Sequence, residues 1–113
     1  MMREQTLKQI DVLRHELKAL RYILDNFHAN RLAPAAIPPR DDFLSAQARA
    51  IYDVIRESPT RDTAEARIAG LELDDVDVVS FLRLSGEHYY TYPALVHERA
   101  EAMRAGRLRI ETA

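Results

Sequence analysis

Cysteine is absent from this chain of 113 residues, and glycine occurs only three times, at positions 70, 86 and 106. Without cysteine there is neither a disulfide framework nor a thiolate metal site. Three scattered glycines cannot build a phosphate cradle, and neither Gly-x-x-x-x-Gly-Lys-Ser/Thr nor Gly-x-Gly-x-x-Gly occurs. Nucleotide hydrolysis is therefore not expected of this chain alone. No apolar run approaches the roughly 20 residues that span a bilayer. The polar stretch 1–11 has no signal-peptide core, so a cytoplasmic location is the default expectation and no membrane partner is foreseen. Excess positive charge is missing as well: the net charge is −2 and the isoelectric point about 6.1, against a dedicated nucleic-acid binder with a basic footprint. Asn-Gly and Asp-Gly hairpin turns are lacking, and each glycine follows a helical pattern, where a left-handed C′ residue would sit. An all-α fold is the expectation.

With 47% hydrophobic and 30% charged residues, the chain can bury one core and stay in solution. The spacing predicts a helix over residues 3–27. Ile10, Leu13, Leu17, Leu20, Leu24 and Phe27 recur three and four apart, and Glu4 and Lys8 form an i,i+4 pair. Such a helix would be roughly 37 Å long, more than a domain this size needs. Residues 1–13 are then free to project or to meet another copy, with Leu7, Ile10 and Arg14 as candidate interface residues. A coiled-coil seam competes with a core stripe, but its heptads slip at Leu7.

Asn26, Asn30, Pro34, Pro38 and Pro39 interrupt the chain after that helix, leaving a short turn through Asn30 to Leu32, with Leu32 and Ile37 pinned to the core. Phe43 reads as a plug ahead of a central helix, capped by Ser45 or by Asp41 or Asp42. Leu44, Ala48, Ile51, Tyr52 and Ile55 line one face of it, up to Pro59. The structural anchors are Phe43, Ile51, Tyr52, Leu20 and Leu24. A short helix capped by Asp62 or Thr63 should end at Gly70, with Ala66 and Ile68 inward. Another, capped by Asp74 or Asp75, should point Val76, Val79, Phe81 and Leu82 inward. The last helix starts at Pro93 and runs to Ala105, with Leu95, Val96, Ala100 and Met103 inward. The whole reads as a compact bundle of about six helices in one domain, residues 1–106, with 107–113 as a frayed tail or linker start.

Candidate chemistry is sparse. His15 and His28, or His88 and His97, are not spaced three or four apart, as two metal ligands on one helix face would be. His97 and Glu101 are i,i+4 and read as a solvated pair. The acidic groups Asp41-Asp42 and Asp74-Asp75-Asp77 stand before helices, where carboxylates cap free amides. Neither a catalytic residue, a metal, a cofactor nor a small-molecule substrate is expected. Tyr89, Tyr90 and Tyr92 would seal the first helix against the last, or carry an interface, since tyrosine is enriched at binding hot spots. Arg99, Arg104, Arg107 and Arg109 bias the C-terminal end towards positive charge, offset by Glu98, Glu101 and Glu111. Nucleic-acid contact through them would be weak or indirect.

Four fragments in order suggest a family. Glu16 with Ala19-Leu20 and Ile23-Leu24-Asp25 comes first, then Asp41-Asp42-Phe43 with Ile51-Tyr52. Asp62 follows, and then Tyr92, Leu95-Val96, Glu98-Arg99-Ala100 and Arg104. Over residues 14–104 this order resembles the N-terminal domain of DnaB-type replicative DNA helicases, which is related to the helicase-binding C-terminal domain of DnaG-type primases. The sequence departs from it at Arg21 or Tyr22, where the family has glycine, and at Ala48, where histidine is common. The resemblance implies a non-catalytic helical head that self-associates or binds a helicase, primase or loader, with any ATPase elsewhere. Tyr92, Arg99 and Arg104 fall on the motif's last helix, which makes them, with Tyr89, the remaining candidate interface residues. The alternative is a small helical nucleic-acid-binding regulator using the C-terminal arginines.

Overall fold

A computed structural model of the protein describes residues 5–27 and 37–111. The turn through Asn30 to Leu32 and His28 lie outside the described residues. In chain order the elements are β1 (Gln5–Lys8), α1 (Gln9–Asp25), a 3-10 turn (Arg40–Asp42), α2 (Ala46–Glu57), α3 (Arg61–Ala69), α4 (Val78–Arg83), a second 3-10 turn (Gly86–His88), α5 (Tyr92–Arg104) and β2 (Leu108–Glu111). The fold is mostly helical, with five α-helices among the described residues and one small sheet.

That sheet corrects the reading of both chain ends. Residues 5–8 are extended rather than helical, so α1 holds 17 residues and is about 26 Å long. Nothing among the described residues projects as a helical extension. The segment expected to be frayed pairs in parallel with β1, Gln5 opposite Leu108 and Lys8 opposite Glu111. Pairing gives both short segments partners for their backbone groups. It also puts Leu7, Leu108 and Ile110 on one face, where Leu108 is buried.

Helix α1 is the central element, in contact with α2 and α5. Its residues Leu13, Leu20, Ile23 and Leu24 join Phe43, Ile51, Tyr52, Ile55, Ile68, Phe81 and Val96 in a single core. Phe43 is fully enclosed, its ring tilted 44° against that of Tyr52 at 5.1 Å. Helix α2 buries Ala48, Ile51, Tyr52 and Ile55. It ends where Ser58 turns extended before Pro59, the Ser58 hydroxyl donating to the Val54 carbonyl at 2.6 Å.

Two expected helix starts shift. Thr60, not Asp62 or Thr63, caps α3, its hydroxyl accepting the Thr63 N–H at 3.1 Å, and Ala64 rather than the exposed Ala66 turns inward with Ile68. Asp77 rather than Asp74 or Asp75 caps α4, accepting the Ser80 N–H at 3.2 Å. The reason is local: Asp75 adopts a left-handed φ of 62°, so the chain cannot enter a helix there. Phe81 is then buried while Val79 faces solvent. In α5 Pro93 occupies the first turn, with Val96 and Ala100 buried and Met103 exposed. Of the glycines, only Gly106 is left-handed (φ 75°). Gly86 serves a close approach instead, since a Cβ there would lie 2.4 Å from the Asp25 carboxylate and 3.0 Å from the Tyr22 Cα.

Candidate interaction surface

Two carboxylates of α1 fix the elements around it. Glu16 is 2% exposed and accepts the N–H groups of Leu44 (2.5 Å) and Ser45 (3.0 Å), so the start of α2 is held by a side chain 28 residues upstream. Burial pushes its carboxyl above the ordinary range, against the opposing hydrogen bonds from Ser45 and Leu44. Asp25 accepts the Gly86 N–H at 2.7 Å and pairs with Arg21 and Arg61, each at 2.8 Å. Arg21 is itself buried and donates to the Leu82 carbonyl at 3.0 Å. These contacts tie the end of α4 and the loop before α5 to α1, and so set how α5 lies along it.

The two flanks of α5 then differ. On the first, the carboxylate of Asp42, 1% exposed, accepts from His97 Nδ1 at 2.7 Å and from Arg104 Nη2 at 2.5 Å. His97 Nε2 lies 3.1 Å from Glu101. The hydrogen bond to Asp42, aided by Glu101, raises the His97 pKa. Asp42 is thus no helix cap, as its position before α2 had suggested; it fastens the lead-in of α2 to α5 across 55 residues. His97 and Glu101 are not merely a solvated pair, and Arg104 is engaged within the fold.

On the second flank, α1 supplies His15 and Lys18, and the end of the loop with α5 supplies Tyr89, Tyr92 and Arg99. Arg99 Nη1 is 2.6 Å from His15 Nδ1. A guanidinium only donates, so this contact makes Nδ1 the acceptor and leaves the imidazole neutral. Burial, then Arg99 and Lys18, lower the His15 pKa accordingly. The His15 and Tyr92 rings lie 5.6 Å apart. Tyr89 meets Tyr92 edge-on at 5.7 Å, and the Lys18 ammonium stands 5.7 and 5.4 Å from those two rings. Arg14 is one turn from Lys18, 3.9 Å from Asp11, and its side chain is well exposed. Tyr90 projects outward, 68% exposed.

Of the candidate interface residues, Arg14, Tyr89, Tyr92 and Arg99 therefore share one surface. Leu7 and Ile10 do not: Leu7 is half-buried in the ribbon, and Ile10 rims a cavity of about 480 Å³ towards α2, with Leu13, Ser45 and Asp75 in its walls. His15 and Lys18 belong to the surface but were not among the candidate interface residues, His15 having been weighed only as a metal ligand. The readable signal was spacing, since Arg14 and Lys18 are four apart on α1 while Tyr92 and Arg99 are seven apart on α5.

No group of three His, Asp or Glu side chains that could hold a metal occurs among the described residues, and no described helix is long and apolar enough to cross a membrane. No family model matches the chain, and searches of curated proteins and of solved structures returned none similar to it.

Proposed function

We propose that this chain is a non-catalytic interaction module, a helical head of the replicative-helicase type that self-associates or binds a helicase, primase or loader. The observation that carries the reading is the surface formed by Arg14, Lys18 and Arg99 around the half-buried Tyr89 and Tyr92. Tyrosine and arginine dominate binding hot spots because they offer large contact area and directed hydrogen bonds at low entropic cost. The exposed Arg14 with the half-buried Lys18 and Arg99 favours an acidic partner surface, which would also speed encounter. The resemblance supplies the class of partner.

The test is binding calorimetry between the intact chain and the replicative helicase, primase and loader of the same organism. One of them should bind, and Lys18→Glu combined with Tyr89→Ala should weaken that complex while leaving circular dichroism unchanged. A chain that binds none of the three and remains monomeric at the highest soluble concentration would remove the reading.

A second reading, a nucleic-acid-binding regulator, draws on the same contacts. Lys18 beside two tyrosine rings resembles the alternation of cations and ring faces that binds single strands. Arg107 and Arg109, exposed at the C-terminal end, would extend it. Titration with a single-stranded oligonucleotide across salt separates the two, because phosphate contacts give a steep slope. No binding at low salt would end this alternative.

A further inference from the structure

The ribbon formed by β1 and β2 is short and parallel, and among the described residues neither of its outer edges is paired with a further strand, which is unusual. Parallel strands normally occur in larger, covered sheets, and an isolated two-stranded unit is marginal in water. Its hydrogen bonds show which edge could be extended. Gln5 N–H donates to the Arg107 carbonyl at 2.9 Å. In a parallel pair, alternate residues turn both backbone groups to the partner strand. With Gln5 opposite Leu108, that alternation turns Gln5 and Leu7 inward on β1, and Arg109 and Glu111 inward on β2. The backbone N–H and C=O of Leu108 and Ile110 therefore point away from β1, and among the described residues no third strand receives them.

From this register we infer that the outer edge of β2 is a docking edge for a second copy of the chain, related by a two-fold axis through Ile110. The inference rests on the self-association arm of the function proposed above and names the surface that would carry it. Three features fit one arrangement. Ile110, with both backbone groups outward, is the residue that an antiparallel two-fold pairing needs at a hydrogen-bonded position opposite itself. That register sets Arg109 opposite Glu111 of the second copy, on both sides of the axis, in the close non-hydrogen-bonded positions where opposite charges attract most. The two faces of the enlarged sheet also continue. Leu7 and Ile110 would meet Ile110 and Leu7 of the second copy in one apolar row, and Lys8 and Glu111 would meet Arg109 and Thr6 in a polar one. The β1 edge has no equivalent. Its outward residues are Thr6 and Lys8, and a two-fold register centred on Lys8 would bring two ammonium groups together, a common way of blocking an edge.

Sedimentation of the intact chain over a concentration series tests the edge. A monomer–dimer equilibrium is expected. Arg109→Glu and Glu111→Arg should each weaken the dimer about tenfold, as two attractive cross-strand pairs become repulsive. The double variant Arg109→Glu/Glu111→Arg should restore it. Hydrogen exchange gives a second readout, with the Ile110 amide protected at high protein concentration and exposed at low. A chain that stays monomeric, a dimer indifferent to the single reversals, or one not rescued by the double variant would each overturn the edge. Binding of a replication partner through Lys18 and Tyr89 would be untouched by those ribbon variants. A lost edge with partner binding retained therefore refutes this inference alone, whereas loss of both refutes the module reading too.

Discussion

On one flank of α5, His97 and Arg104 close on the buried carboxylate of Asp42; on the other, His15 and Arg99 bond each other directly beside Lys18 and two tyrosines. The residue types match and the uses differ. The Arg104 guanidinium and the His97 imidazole share one desolvated carboxylate, in charge-assisted hydrogen bonds that commit both side chains to the fold. On the other flank a guanidinium spends one donor on a neutral imidazole, and the remaining positive charge must be met by water or by a ligand. A surface fastened to itself stabilises the molecule, while a surface with uncompensated charge beside aromatic rings is suited to binding. The comparison predicts that variants on the first flank lose stability and variants on the second lose association.

The largest effect should come from Phe43, next to Asp42 in the chain and completely enclosed. Phe43→Ala should cost about 3–5 kcal/mol in chemical denaturation, from lost burial and the cavity left behind. A loss below about 1 kcal/mol would show that the first flank is not anchored there.

Asp42→Ala comes next, at about 1–3 kcal/mol. The cost is moderated because the side chains of His97 and Arg104 are about half exposed and can hydrate once the carboxylate is gone. The reverse comparison sharpens this. Arg104→Ala and His97→Ala each leave Asp42 buried with one partner fewer, and the double variant should be worse than the sum of the singles. Additive losses would mean that the three side chains do not act as a unit.

Smaller again are Lys18→Ala and Arg99→Ala, each expected to change stability by less than about 1 kcal/mol. They should nevertheless weaken partner binding. If either unfolds the protein, or leaves binding intact, the contrast between the flanks fails.

How much of this could be read from sequence depended on how local the determining contacts are. The stripe Leu13, Leu17, Leu20, Leu24 and the face Ala48, Ile51, Tyr52, Ile55 declare themselves, because their period is that of the helix they form. Phe43 was legible from the prolines before it and the apolar face after it. The strands were not: Gln5–Lys8 and Leu108–Glu111 are four residues each, and their pairing partner lies about a hundred residues away. Asp42 looked like a helix cap because capping is the local explanation for an aspartate ahead of a helix, and its true partners are on α5. The α4 cap was misplaced among three aspartates because the choice turned on the left-handed Asp75, a backbone state the pattern does not encode. The tyrosine cluster, Arg14 and Arg99 were visible as residues, but Lys18 and the neutral His15 beside them were not, since those two come to the tyrosines from the other end of the chain.

The two histidines give the finest test, because they should tilt stability in opposite directions with pH. His97, facing Asp42, Glu101 and Arg104, has a folded pKa above its ordinary 6.5. Its contribution is complete below that value and is lost as pH rises through the raised one, because the folded state then holds the extra proton. His15, facing Arg99, Lys18, Asp11 and the Tyr92 ring, is lowered below 6.5. Between its lowered value and 6.5 the unfolded chain binds more protons, so stability rises with pH there. Glu16, raised above 4.5, opposes His15 at the acid end of the range, so the measurement belongs in a Glu16→Gln background. Urea midpoints from about pH 5 to about pH 8.5 should then rise and fall around the ordinary histidine value. His97→Gln should flatten the alkaline arm alone, and His15→Gln the acid arm alone. An alkaline decline that survives in His97→Gln would separate that histidine from the fastening of Asp42, and the distinction between the two flanks would then rest on Arg104.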